Sequence, residues 1–153
     1  ENSEDVWGKY IPYLRSVTSP DEETSPRFIA IKQIPVEEIV AKLRQKWPDI
    51  VIDPKNPERQ FKVLEESAGG RVKSMQVGNK VVKGSELRML FGLNSTDFKW
   101  ERTGSSIKFT CTGYGHGVGM SQYGANAMAK KGLNYVDILK HYYTGVEIRK
   151  IDR

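Results

Sequence analysis

The residues Gly113-Tyr114-Gly115-His116-Gly117-Val118-Gly119-Met120-Ser121-Gln122-Tyr123-Gly124-Ala125 form the stretch of this sequence whose types and spacing could do chemistry. Glycine occupies every second position from 113 to 119. In an extended backbone successive side chains alternate between faces, so this spacing predicts bare main chain on one face and Tyr114, His116, Val118 and Met120 on the other. A single strand glycine marks a sheet corner or a close contact, and it weakens the strand. Four in alternation predict instead a surface on which a flat, extended ligand lies against the main chain. Tyr114, His116, Gly117, Ser121, Gln122 and Tyr123 are therefore the candidate substrate-binding or supporting residues. His116 stands between two glycines, whose missing side chains cannot shield an imidazole that changes charge near neutral pH. His141, beside Tyr142, reads as a packing residue.

Other chemistries are excluded by what the sequence lacks. It contains no Gly-x-x-x-x-Gly-Lys-[Ser/Thr] phosphate loop, no His-Glu-x-x-His and no Cys-x-x-Cys. The Gly-x-Gly inside the run has neither the spacing of a dinucleotide fold nor a ribose-binding acid at the right distance. One cysteine, Cys111, excludes an internal disulfide and a cysteine-rich zinc site, and reads as a small buried hydrophobe. No metal and no cofactor are expected. An excess of 24 Lys and Arg over 19 Asp and Glu gives a net charge of +5, which favours an anionic partner. The charges are scattered (Lys42, Arg44, Lys46; Arg71, Lys73; Lys130, Lys131), as on solvated faces, and no nucleic-acid motif accompanies them. Nucleic acid is not an expected partner.

The elements that must position the glycine run follow from periodicity. Residues 1 to 26 carry Trp7, Tyr10 and Tyr13 at three-residue spacing, which predicts a short helical turn with an aromatic face up to Pro12, and then loop. Phe28 to Ile34 reads as a strand. Pro35 opens a helix through Lys46, with Val36, Ile39, Val40 and Leu43 on one face, and Pro48 stops it. Gln60 to Ser67 and Val72 to Val77 predict a hairpin with a primed turn at Gly69-Gly70, followed by the short strand Val81-Val82-Lys83. Glu86 to Phe91 predicts a helix ended by Gly92. A second hairpin, Asp97 to Arg102 with Ser106 to Thr112, delivers the chain into the glycine run. Ser121 caps a predicted helix from Gln122 to Lys130, with Gly132 as its left-handed end, and Asn134 caps one through Tyr142. Val146 to Ile151 predicts a last strand. The expected class is α+β: a single mixed domain over residues 1 to 153, of short antiparallel strands and short helices, without the rhythm of a doubly wound sheet. No apolar run approaches the ~20 residues needed to span a membrane.

Gly-Tyr-Gly-His-Gly-Val-Gly-Met-Ser-Gln-Tyr-Gly-Ala, with the closing Tyr142-Tyr143-Thr144-Gly145-Val146, resembles the C-terminal signature of the stage II sporulation protein D family, which includes amidase-enhancer proteins of Gram-positive cell walls. Glu1-Asn2-Ser3-Glu4-Asp5-Val6-Trp7-Gly8 and Pro12-Tyr13-Leu14-Arg15-Ser16-Val17 resemble the middle of that family. The resemblance implies a lytic transglycosylase that cuts MurNAc-GlcNAc bonds of peptide-stripped glycan strands and leaves 1,6-anhydro ends. It implies as partners the glycan, a sporulation amidase and a membrane scaffold protein, at the extracytoplasmic face of the engulfing membrane with the anchor outside this chain.

In that chemistry one glutamate protonates the leaving oxygen and then accepts the C6 hydroxyl proton. In the family this glutamate lies upstream of the region matched here. None of Glu1, Glu4, Glu37, Glu38, Glu65, Glu66, Glu86, Glu101 or Glu147 stands in its context, so no catalytic residue is expected in the chain. The expectation is of a C-terminal part, completed by a missing N-terminal segment, that supplies glycan-groove walls. The rival is a non-catalytic wall-binding or amidase-enhancing module.

Overall fold

The computed structural model describes residues 1–19, 29–115 and 117–151. In chain order they form α1 (Ser3–Trp7), β1 (Ile29–Pro35), α2 (Val36–Lys46), a 3₁₀ turn at Pro57–Gln60, β2 (Phe61–Glu66), β3 (Val72–Val77) and β4 (Lys80–Lys83). There follow α3 (Gly84–Phe91), β5 (Phe98–Thr103), β6 (Ser106–Thr112), α4 (Gln122–Lys130) and α5 (Tyr135–Tyr142). Among the described residues five α-helices and two three-stranded antiparallel sheets, ordered β1-β6-β5 and β2-β3-β4, make the class α+β, as predicted. The chain divides into two compact units: a central unit, Phe28–His116, and a terminal unit made of Glu1–Arg27 with Gly117–Arg153.

The central unit is built as its periodicity requires. β6 alternates, with Ile107, Phe109 and Cys111 buried and the residues between them partly exposed. Phe109 meets Phe91 and Phe98 at ring-centroid distances of 5.4 and 6.2 Å, in the tilted and edge-on arrangements that aromatic quadrupoles favour. Onto this core α2 lays Val36, Ile39, Val40 and Leu43, the stripe predicted from i, i+3, i+4, i+7 spacing. Pro35 stands at the α2 N-cap rather than inside its first turn, and Pro48 holds the preceding Trp47 out of helical geometry. Gly92 ends α3 in the left-handed conformation. At the other end of α3 the Glu86 carboxylate accepts the Lys83 N–H at 2.9 Å. Cys111 is buried, as read from the sequence.

The β2–β3 connection departs from the predicted primed turn. Gly70, with φ 77°, is the left-handed residue, and Gly69 is not. Gly70 N–H donates to the Ser67 carbonyl, and Ser67 N–H to that of Arg71. The loop is thus wider than a two-residue turn, and β2 accommodates it through register shifts on either side of Glu65.

The terminal unit joins residues far apart in sequence. α1 stops after five residues at left-handed Gly8, so the predicted aromatic face up to Pro12 does not form. Trp7, Tyr10 and Tyr13 are all exposed, and the buried residue of α1 is Ser3. The Ser3 hydroxyl accepts the Ile11 N–H at 2.8 Å, which folds the segment back on itself. α4 and α5 begin at their predicted caps: Ser121 accepts from Gly124 N–H, and Asn134 from Val136 and Asp137 N–H. Met128, Ile138 and Tyr142 form the small core, with Val17, Ala125 and Tyr143 against it. The strand predicted over 146–151 is not formed; that segment has no regular structure and no ladder partner among the described residues, and a strand does not stand unpaired. Among the described residues no helix is long and apolar enough to cross a membrane.

Candidate functional site

The glycine run is not an extended strand. Gly113, Gly115, Gly117 and Gly119 have φ of 70°, 65°, 75° and 87°, all in the left-handed region. Extended backbone needs strongly negative φ, so the two-faced ribbon expected from alternation is replaced by a loop that turns at every glycine. What the sequence spaced as alternate side-chain-free positions is alternate left-handed backbone. A methyl group at Gly115 would meet no atom within 4 Å, and at Gly113 only an Arg71 guanidinium nitrogen at 3.9 Å. Internal close packing therefore does not explain these two glycines.

In the central unit the run is held at Gly115 by one main-chain and one side-chain hydrogen bond. Gly115 N–H donates to the Asn94 carbonyl at 2.9 Å, and Arg71 Nη1 donates to the Gly115 carbonyl at 2.9 Å. Buried Ser95 fixes the adjoining turn by donating to the Thr112 carbonyl at 2.7 Å. Tyr114, next to clamped Gly115, is 60% exposed. His116 lies outside the described residues.

In the terminal unit the Glu1 main-chain nitrogen donates to the Gly117 carbonyl at 3.0 Å. A methyl group at Gly119 would lie 3.9 Å from Tyr143 Oη, and the Tyr143 ring is tilted against Tyr13 with centroids 6.5 Å apart. The Tyr13 carbonyl also accepts the Thr144 N–H. Ser121 has its hydroxyl engaged as the α4 cap, so its role is to start the helix. Gln122 and Tyr123, both exposed, form the first helical turn beyond it.

Of the predicted residues, Gly117, Ser121, Gln122 and Tyr123 belong to the terminal unit and Tyr114 to the central one. Arg71, Tyr13 and Tyr143 were not singled out from the sequence. Tyr13 and Tyr143 stood inside the quoted signature segments, which was the available signal; Arg71 carried none beyond its place after Gly69-Gly70. The Arg15 guanidinium hydrogen-bonds both oxygens of Glu4, at 2.5 and 3.0 Å, and holds that carboxyl below its usual range. Among the described residues no group of three or more His, Cys, Asp or Glu side chains gathers.

Gly124, at the end of the motif, has a packing reason. Tyr142 is 1% exposed, and its hydroxyl shares a 2.9 Å hydrogen bond with Ser19 directly above Gly124. A methyl group there would come within 2.0 Å of the Tyr142 oxygen and 3.0 Å of the Ser19 oxygen. Gly124→Ala is expected to cost about 1–3 kcal/mol, the usual range for overpacking. Tyr142→Phe in the same chain removes the obstructing oxygen and should recover part of that loss, which urea denaturation of the single and double variants measures. Strict additivity would refute the contact as the cause.

No family model matches the chain. It is 43% identical over 152 residues to stage II sporulation protein D of Bacillus subtilis (strain 168), covering 99% of this chain and 42% of that protein. Identity to the Bacillus amyloliquefaciens stage II sporulation protein D is 40% over 152 residues, with the same shares covered. The amidase enhancer of Bacillus subtilis is 36% identical over 97 residues, which are 61% of this chain and 14% of that protein. The chain thus spans less than half the length of the relatives it matches. With such identity along nearly every residue it has, the chain belongs to the stage II sporulation protein D family.

Proposed function

We propose that the chain is a glycan-contacting part of a sporulation cell-wall protein acting at the outer face of the engulfing membrane. In the intact protein it supplies walls of the groove in which a lytic transglycosylase cuts peptide-stripped glycan. The observation that carries this reading is the glycine run: four left-handed glycines, with open space where Gly115 would bear a side chain. Backbone without side chains lets a flat polar ligand approach closely without steric hindrance. In the central unit exposed Tyr114 adds aromatic surface whose apolar ring and polar hydroxyl suit sugars. On this reading the acid-base glutamate comes from the length of the relatives that the chain does not span.

Wall binding is the direct test. The chain should sediment with insoluble peptidoglycan, and the fraction bound should fall between low and ~0.15 M ionic strength, where the screening length shrinks to ~8 Å, because part of the attraction comes from the net charge of +5. A residue of binding should survive that salt, held by hydrogen bonds and ring contacts. Absence of sedimentation at every ionic strength would defeat the proposal.

The match to the amidase enhancer favours a second reading, in which the chain recruits an amidase that strips stem peptides. Retention of that amidase by the immobilised chain in the absence of wall material separates the two.

A further inference from the structure

We infer a second, oxyanion-binding site in the central unit, in the cleft between the 3₁₀ turn at Pro57–Gln60 and the outer face of the β2-β3-β4 sheet. The open cleft has a volume of about 220 Å³ and is lined by Arg59, Gln60, Lys62, Gln76 and Gly78. This inference is independent of the glycan reading, since it uses no residue of the glycine run.

Its chemistry is that of hydrogen-bond donors. Lys62 lies directly opposite Gln76 on the neighbouring strand, so the two side chains share one face. Arg59 sits two residues before β2 and brings a guanidinium, a planar fork of donors that accepts nothing. No acidic residue lines the cleft. Glu58, the nearest carboxylate in sequence, is committed to Arg102 at 3.1 Å. Among the described residues neither Arg59 nor Lys62 has an ion-pair partner, in contrast to Lys73, Lys80 and Lys108, which pair with Glu65, Asp49 and Glu101.

The amides are already oriented. Asp53 N–H donates to Gln60 Oε1 at 2.6 Å, which leaves the Gln60 NH₂ group as the end available to a ligand. Gln76 Nε2 donates to the Gly78 carbonyl at 3.0 Å, and Gly78 N–H to the Gln60 carbonyl at 3.1 Å, so those main-chain groups are satisfied and the cleft walls are tied together. Two cations and an oriented amide that line one cleft, with no acidic residue in its lining, match a ligand that only accepts: a phosphate or carboxylate group. Phosphodiester polymers and carboxylated peptides both carry such a group.

The test is a titration of the isotopically labelled chain, followed by amide chemical shifts, with inorganic phosphate, acetate and sodium chloride at matched ionic strength. Phosphate is expected to produce saturable shifts confined to residues 59–62 and 76–78. Saturation by acetate as well assigns the site to carboxylates and phosphates alike; saturation by phosphate alone assigns it to phosphate ligands. Arg59→Gln with Lys62→Gln should weaken binding at least tenfold with an unchanged urea midpoint, and Lys62→Arg should keep it. The inference is overturned by an equal response to chloride, by equal shifts around the exposed Lys130-Lys131 pair, or by undiminished saturation in the double variant.

Discussion

Gly78→Ala is expected to destabilise the central unit by about 2–5 kcal/mol. Two separate costs act at this position. Its φ of 57° is a left-handed conformation that costs an L-residue about 1–2 kcal/mol. A methyl group there would also lie 2.1 Å from the Val51 carbonyl oxygen and 3.1 Å from the carbonyl carbon, which adds an overpacking cost of about 1–3 kcal/mol. Val51 cannot simply recede, because Asn79 holds it on both sides: Asn79 Oδ1 accepts the Val51 N–H at 2.7 Å, and Asn79 N–H donates to the Val51 carbonyl. Gly104, with φ 59° and nothing within 4 Å of its would-be methyl group, carries the first cost alone. Urea denaturation of Gly78→Ala and Gly104→Ala therefore isolates the second. Equal midpoints would show that the Val51 contact contributes nothing.

Incubated alone with purified, peptide-stripped glycan strands, the chain should release no anhydro-muropeptides. Proton transfer by a positioned acid contributes about 10²–10⁴-fold in rate, and that acid must be protonated near neutral pH, which burial achieves by penalising its charged form. No carboxylate among the described residues is buried. Those with resolved shifts move the wrong way: Arg15 lowers Glu4, Lys80 lowers Asp49, and the Lys55 N–H lowers Asp53. Each shift favours the ionised form and so disfavours the protonated acid that this step needs. Robust product from the isolated chain would sink both this account and the placement of the glutamate elsewhere in the intact protein.

The sequence made some of this legible for definite reasons. α2 could be read because a buried helix face writes itself at 3.6-residue spacing, and α4 and α5 because Ser121 and Asn134 satisfy first-turn amides locally. Hairpins with a glycine between two apolar runs were equally plain. The glycine run was misread because alternation at period two is compatible both with a strand that bares one face and with a loop that turns left at every second residue. Only the dihedral angles separate them. The tight contacts of Gly78 with Val51 and of Gly124 with Tyr142 join residues 27 and 18 positions apart, and no local pattern encodes them. The same holds for Ser19 with Tyr142, which are 123 positions apart, and for Arg71 on the Gly115 carbonyl. The expected last strand had a suitable composition and lacked a partner, and partners are tertiary facts.

The central claim is that glycan lies against the main chain of the glycine run, and Gly115→Ala tests it most directly when set beside Gly104→Ala. Both positions are left-handed, both have open space for a methyl group, and both belong to the central unit, so each substitution should cost the same ~1–2 kcal/mol of backbone strain. Glycan affinity, measured on folded samples of the two variants and the parent chain, should fall at least tenfold in Gly115→Ala, a loss of about 1.4 kcal/mol or more, and stay at the parent value in Gly104→Ala. Equal affinity in all three proteins would contradict the claim and leave the glycines a purely conformational role.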